Sequence, residues 1–187
     1  ISSQGFVNGK LSADVTFDYT PAPFEAWTQV ASQPGYFHTF PELSGEFDPR
    51  KPYVCVGGSS IYFRKDRPKY QPVPAFMALC KALQQEVGQV VLTASAAADL
   101  PIFEPIAKAL NLPLLRPELP PQQAVDVLGH SSCYIGGRWH GAIFAATGGA
   151  PVITLAAHTF KVNALNEQLG LQQKPFDPFN LERDRTA

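Results

Sequence analysis

The sequence predicts an α/β fold, a parallel sheet with helices on both of its faces. Two observations predict it. Short apolar runs (Tyr53-Val54-Cys55-Val56, Gln89-Val90-Val91-Leu92-Thr93, Cys133-Tyr134-Ile135, Val152-Ile153-Thr154-Leu155) are continuous rather than alternating, as strands covered on both sides are. Between them lie segments whose apolar residues recur at helical spacing, and strands alternating with such helices imply right-handed parallel crossovers.

Residues 1–52 stand apart. Six prolines (Pro21, Pro23, Pro34, Pro41, Pro49, Pro52) and many aromatics (Phe17, Tyr19, Phe24, Trp27, Tyr36, Phe37, Phe40, Phe47) crowd a stretch without helical period. It reads as an irregular arm that packs its aromatics onto something, with a short strand at 13–17. From residue 53 the pattern becomes regular. Gly57-Gly58 stops the first strand, and Ile61-Tyr62-Phe63 reads as a second short one. Val73, Phe76, Met77, Cys80, Leu83 and Val87 form a helical stripe closed by Gly88. After strand 89–93, Asp99 is placed to cap a helix holding Ile102, Phe103, Ile106 and Leu110, with Pro105 limiting its first turn. Leu114-Leu115 is a short strand, 122–128 a short helix, 133–135 a strand, 140–147 a helix stopped by Gly148-Gly149, 152–155 a strand, and Val162, Leu165 and Leu169 a last helix closed by Gly170.

Composition narrows the function. The chain of 187 residues suits one domain plus an arm, and 45% hydrophobic against 17% charged residues fits a globular protein. With Lys+Arg 15 and Asp+Glu 16, no global field draws nucleic acid, so any anion site is built locally. Cys55, Cys80 and Cys133 have apolar neighbours and no C-x-x-C spacing, which points to buried thiols and, with no disulfide framework, to the cytoplasm. No run of about 18 apolar residues is long enough to span a membrane. The chain opens at Ile1 without a signal-peptide pattern and is expected to be a fragment or processed product. The histidines lack metal-ligand spacing, so no metal or cofactor is expected.

In a doubly covered parallel sheet, ligands bind beyond the carboxyl ends of the strands. The loops after 57, 93, 135 and 155 should therefore share one rim. The richest of them is Gly136-Gly137-Arg138-Trp139-His140-Gly141. Glycines admit a ligand to the backbone, a helix start offers free amides, Arg138 a planar fork, and His140 a proton near neutral pH. Together these favour a small dianion. The plain structural alternative is that Arg138 pairs with a carboxylate and His140 caps the helix. The loop after 155 adds His158, Thr159 and Lys161. The loop after 57 adds Gly57-Gly58-Ser59-Ser60, then Arg64, Lys65 and Arg67, without the ending of a Walker loop. His130 reads as structural, and His38 is given no role.

The string Gly137-Arg138-Trp139-His140-Gly141-Ala142-Ile143-Phe144-Ala145, followed by Gly149-Ala150-Pro151-Val152-Ile153 and Lys161, resembles the C-terminal signature of polysaccharide pyruvyltransferases. That resemblance implies a Rossmann-like domain similar to the C-terminal, donor-binding half of a GT-B glycosyltransferase, here residues 53–187. Residues 1–52 would be interdomain linker and the last piece of a partner half. It implies transfer of pyruvate from phosphoenolpyruvate to two hydroxyls of a sugar or lipid-linked saccharide, forming a ketal. Arg138 and His140 match the arginine and histidine that contact phosphoenolpyruvate. Gly141, Lys161 and His158 are expected to line the same site, and Arg64 is the nearest match to a further family arginine.

Two other functions stay open at this stage. A nucleotide-sugar glycosyltransferase of the same fold needs a ribose-binding carboxylate after the G-x-P strand, and Glu167 is the sole carboxylate in 156–170. A non-catalytic sugar-binding or assembly domain would use the aromatic arm as an interface. The sequence does not fix the oligomeric state, a homo-oligomer included.

Overall fold

The computed structural model describes residues 13–37 and 47–181. Its strands are β1 (Tyr53–Ser59), β2 (Gln89–Thr93), β3 (Leu114–Leu115), β4 (Cys133–Gly137) and β5 (Val152–Thr154). They form one five-stranded sheet in the order β3-β2-β1-β4-β5, with every pair parallel. The helices are α1 (Phe24–Ala31), α2 (Pro72–Glu86), α3 (Leu100–Leu110), α4 (Pro121–Gly129), α5 (Trp139–Thr147) and α6 (Lys161–Gln168).

Every residue of β1 is buried, which is why Tyr53 to Val56 form a continuous apolar run before the glycines and Ser59. Alternate side chains feed two cores. Val54, Val56, Val90, Leu92 and Leu114 face Phe76 and Cys80 of α2 and Ile102, Phe103 and Ile106 of α3. Tyr53, Cys55, Val91, Leu115 and Tyr134 face Trp27 of α1, Val127 and Leu128 of α4, Ile143 of α5 and Leu165 of α6. The sheet is thus Rossmann-like, with helices on both faces. The order in which strands are added switches side between β1 and β4, so the crevice that such sheets offer a ligand opens at the carboxyl ends of those two strands.

Local chemistry sets the element ends. Pro72 starts α2 where its missing N–H is no loss, and Gly88 (φ +95°) follows that helix. Asn111 closes α3 in the left-handed region, φ 52°. Several sequence expectations need correction. Ile61-Tyr62-Phe63 is a 3₁₀ turn, Ser60–Phe63, because the Ser59 side chain accepts from the Ile61 amide and curls the chain. The stretch expected as a strand at 13–17 is a 3₁₀ turn, Val15–Asp18, begun by Asp14. Residues 1–52 hold a true helix, α1, which buries Trp27, Thr28 and Ala31. Pro105 lies inside α3 rather than at its first turn; burial of Ile102, Phe103, Ile106 and Ala107 outweighs the hydrogen bond it cannot donate.

The described part of the arm packs on α4 and α5. The Ala22 amide donates to Asp126 at 2.7 Å, Trp27 stacks on His130 at 4.7 Å, and the Ala22 carbonyl lies 2.8 Å from His130 Nε2. His38 and Phe40 lie outside the described residues. Cys55 and Cys80 are buried and Cys133 is half-buried; all are free thiols. Among the described residues no helix is long and apolar enough to cross a membrane.

Candidate active site

The carboxyl ends of β1, β4 and β5 are drawn together at Gly137. A Cβ there would stand 2.7 Å from the Leu155 carbonyl oxygen and 2.8 Å from the Ser59 side chain. Only glycine permits that approach. Ser59 then donates to the Ala156 carbonyl at 2.6 Å, and His158 Nδ1 lies 2.7 Å from the Ser60 hydroxyl. The loops after β1 and β5 are therefore stitched to each other beside the start of α5.

Arg138 is the N-cap of α5, with extended backbone angles (φ −91°, ψ 124°). Its guanidinium leaves the helix start toward the α3 side. There Nη2 donates to Asp99 Oδ1 at 2.5 Å, and the group lies over the Phe63 ring, 5.6 Å from its centroid. Asp99 is fully buried. Its second oxygen accepts from the amides of Ser95 and Ala96 at 3.0 and 3.2 Å, so it is held from the β2 loop rather than bonded into α3. The Arg138 side chain is 17% exposed, and its Nε is buried without a hydrogen-bond partner among the described residues.

His140, two residues on, has different neighbours. It lines a cleft of about 320 Å³ with Gly141 and Phe144 of α5, Thr93 at the end of β2 and Ser95 after it, Arg116 after β3, and Thr16 and Tyr19 of the arm. Its side chain is 60% exposed. Nε2 lies 4.0 Å from Asp14 Oδ2. Asp14 also accepts from the Thr16 amide at 3.0 Å, the Thr16 hydroxyl at 2.7 Å and the Trp139 indole at 2.9 Å. The Thr16 amide and the Trp139 indole lower its pKa to about 2. Across the cleft, Arg116 is bridged by Glu104 at 2.9 Å and Glu118 at 3.5 Å.

The remaining sequence candidates spread along the same edge. Gly141 shares the cleft wall with His140. Lys161 is exposed at the first position of α6, a helix end that electrostatically favours anions over cations. Arg64 turns to Asp66, which takes both its Nε and Nη2; the Nε contact is 2.7 Å. Glu167, the carboxylate on which a nucleotide-sugar reading would rest, lines a different hollow with Asn163, Asn166 and Lys174. The structure thus gathers Arg138, His158, the Ser59–Ser60 turn and the α5 start on one rim. Arg138 turns to Asp99, His140 lines the neighbouring cleft beside Asp14, and Arg64 is drawn aside to Asp66. Sequence reasoning missed Asp99 as the acid that meets Arg138, although it lies in one of the rim loops. It also missed Asp14, whose distance of 125 residues from Trp139 leaves no local signal. Among the described residues no three His, Cys, Asp or Glu side chains gather as a metal ion requires.

A five-stranded parallel sheet with helices on both faces and a strand-order reversal between β1 and β4 defines a Rossmann-like α/β fold. The chain belongs to the polysaccharide pyruvyl transferase family, whose model matches residues 3–159. A solved structure, the glycosyl transferase family 9 protein from Veillonella parvula DSM 2008, shares the fold. It has a TM-score of 0.54 and 9% identity, over 90% of this chain and 51% of that one. The chain therefore spans about half the length of that protein. No curated protein matches the chain.

Proposed function

We propose that this chain grips phosphoenolpyruvate at the carboxyl edge of its sheet and passes the pyruvyl group to two hydroxyls of a saccharide. The observation that carries the reading is Arg138, a mostly buried guanidinium at the strand-order reversal. One of its nitrogens is fixed by Asp99 and another is left without an acceptor. A buried donor of this kind is costly unless an anion meets it. Asp99 fixes the orientation of the fork, and the first-turn amides of α5 supply further donors. His158, held by Ser60, and Lys161 extend the cationic edge toward a dianion's second charge.

The chemistry balances with these groups. His140 gives a proton to the methylene carbon of the enol, which becomes the ketal's methyl group. One acceptor hydroxyl attacks the central carbon, the phosphate leaves with its bridging oxygen, and the second hydroxyl closes the ring. The hydroxyl protons leave with the phosphate or return to His140. Arg138 offsets the charge that builds on the departing phosphate. The acceptor is a sugar or lipid-linked saccharide, and the cytoplasm, where phosphoenolpyruvate is made, is the place of action.

The test is incubation of the protein carrying this chain with phosphoenolpyruvate and a saccharide bearing free vicinal or 1,3-related hydroxyls. The expected products are inorganic phosphate, followed by phosphorus NMR, and a ketal seen by mass spectrometry. Binding of UDP in place of phosphoenolpyruvate, with no phosphate released, would overturn the reading in favour of a nucleotide-sugar enzyme.

A further inference from the structure

The carboxylate of Asp14 reaches α5 from the arm and meets two consecutive ring nitrogens. Its Oδ2 accepts from Trp139 Nε1 at 2.9 Å and lies 4.0 Å from His140 Nε2. Its Oδ1 is engaged separately by the amide and hydroxyl of Thr16. The carboxylate is thus clamped from both sides, and its position is set before any ligand arrives. We propose that Asp14 is a positioning residue for His140: its fixed negative charge draws the Nε2 side of the imidazole toward the arm and leaves Nδ1 to exchange a proton with the ligand. The proposal rests on the pyruvyl-transfer reading, since it assigns Asp14 a part in that reaction.

The charges around His140 agree with this assignment. Asp14 is the nearest anion to it among the described residues. Arg116 lines the far side of the same cleft, with its charge met by Glu104 and Glu118. The charge of Arg138 is met by Asp99. The Phe144 ring stacks against the imidazole at 6.3 Å, and Thr16 and Tyr19 complete the nearby wall. The negative charge beside His140 therefore comes from one direction, and that direction belongs to the arm. The Thr16 and Trp139 contacts keep Asp14 ionised far below neutral pH, so its charge is constant through the working range. An aspartate that holds a histidine in orientation and balances its charge is an established way of making imidazole an effective proton carrier.

The experiment compares Asp14→Asn, Asp14→Glu and Trp139→Phe in the protein carrying this chain. Asparagine keeps the shape and loses the charge. The expected result is a kcat about fivefold lower, the factor two unit charges at this separation are worth in a water-like medium. The KM for phosphoenolpyruvate stays unchanged, and the upper limb of the pH–rate profile moves to lower pH. Glutamate restores part of the rate. Trp139→Phe, which frees one side of the clamp, lowers kcat in the same sense. If Asp14→Asn changes thermal stability but leaves kcat and the pH profile at wild-type values, the carboxylate only clasps the arm and the proposal fails. If kcat rises, Asp14 screens His140 and the proposal also fails. The ¹⁵N shift of His140 Nε2 reads the contact without any turnover, and an identical shift in Asp14→Asn would overturn the pairing. A wild-type protein that releases no phosphate from phosphoenolpyruvate counts against the transfer reading, whatever that shift shows.

Discussion

Arg138 donates to the carboxylate of Asp99 at 2.5 Å across 39 residues of sequence, and this pair joins the loop after β2 to the start of α5. Asp99 is wholly enclosed, with Gly58 above it so closely that a Cβ there would stand 2.9 Å from Oδ1. The two partners should therefore respond differently to substitution. Asp99→Ala strands a mostly buried guanidinium and two loop amides, and is expected to cost about 3–5 kcal/mol in urea unfolding. Arg138→Lys keeps a cation beside Asp99, so the fold should survive with a smaller loss. Lysine loses the planar fork, however, and phosphoenolpyruvate affinity measured by calorimetry should fall at least about tenfold. Unchanged affinity in Arg138→Lys would remove Arg138 from the donor site.

His140 offers the reverse case. Its side chain is 60% exposed and it contributes little to either core. His140→Ala should shift stability by no more than about 0.5 kcal/mol. The rate of phosphate release should drop about 100-fold or more if the imidazole carries the proton. Near-normal turnover would hand that role to another group.

The arm's attachment is expected to be pH-sensitive. Asp14 has a folded-state pKa of about 2, below the ordinary 3.8. A carboxylate lowered in this way stabilises the folded form fully above its unfolded value and loses that contribution as pH falls through about 2. Between roughly pH 4 and 2 the Asp14–Trp139 contact should therefore weaken. Trp139 fluorescence should report it, with Trp139→Phe giving the background from buried Trp27. An unchanged Trp139 signal across that window would show that the contact does not depend on the Asp14 charge.

The sheet was legible in the sequence because strands covered on both faces must be continuously apolar, and Val54-Cys55-Val56 and Val90-Val91-Leu92 are. The loops that form the rim followed from the strand ends. Ile61-Tyr62-Phe63 misled because strand-prone residues were read without the Ser59 hydroxyl that bends them. In α1 the helical signal is only eight residues long and sits behind Pro21 and Pro23, so proline density hid Trp27 and Ala31. Arg138 and His140 were legible as chemistry but not as geometry. Arg138 is an extended N-cap residue and His140 a first-turn residue, and the partner each meets (Asp99 for one, Asp14 for the other) depends on backbone angles the motif does not encode. Asp99 was legible as a rim acid and was assigned to the helix cap instead.

Tyr134 and Gly141 give the sharpest packing prediction. The tyrosine is fully buried in β4, burial holds its phenol protonated by raising its pKa, and its hydroxyl makes no well-formed hydrogen bond among the described residues, only a weak approach from the Arg138 amide. That oxygen is walled by three glycines: a Cβ at Gly57, Gly136 or Gly141 would come within 2.6, 2.4 or 2.6 Å of it. Gly141→Ala would ordinarily favour α5 by about 1 kcal/mol through helix propensity. Here the added methyl meets an oxygen that cannot retreat, and the net effect should be a loss of about 1–3 kcal/mol. Tyr134→Phe removes an unsatisfied buried hydroxyl and should be neutral or stabilising. With phenylalanine in place the nearest ring atom to the new methyl is Cζ at 3.0 Å, and Gly141→Ala should become cheaper. Urea unfolding of the wild type, both single variants and the double variant should give a coupling of about 0.5–3 kcal/mol in favour of the pair. Strict additivity would mean that the hydroxyl does not set the approach of α5 to the sheet, and that glycine at 141 is required by something else in the cleft wall that His140 shares.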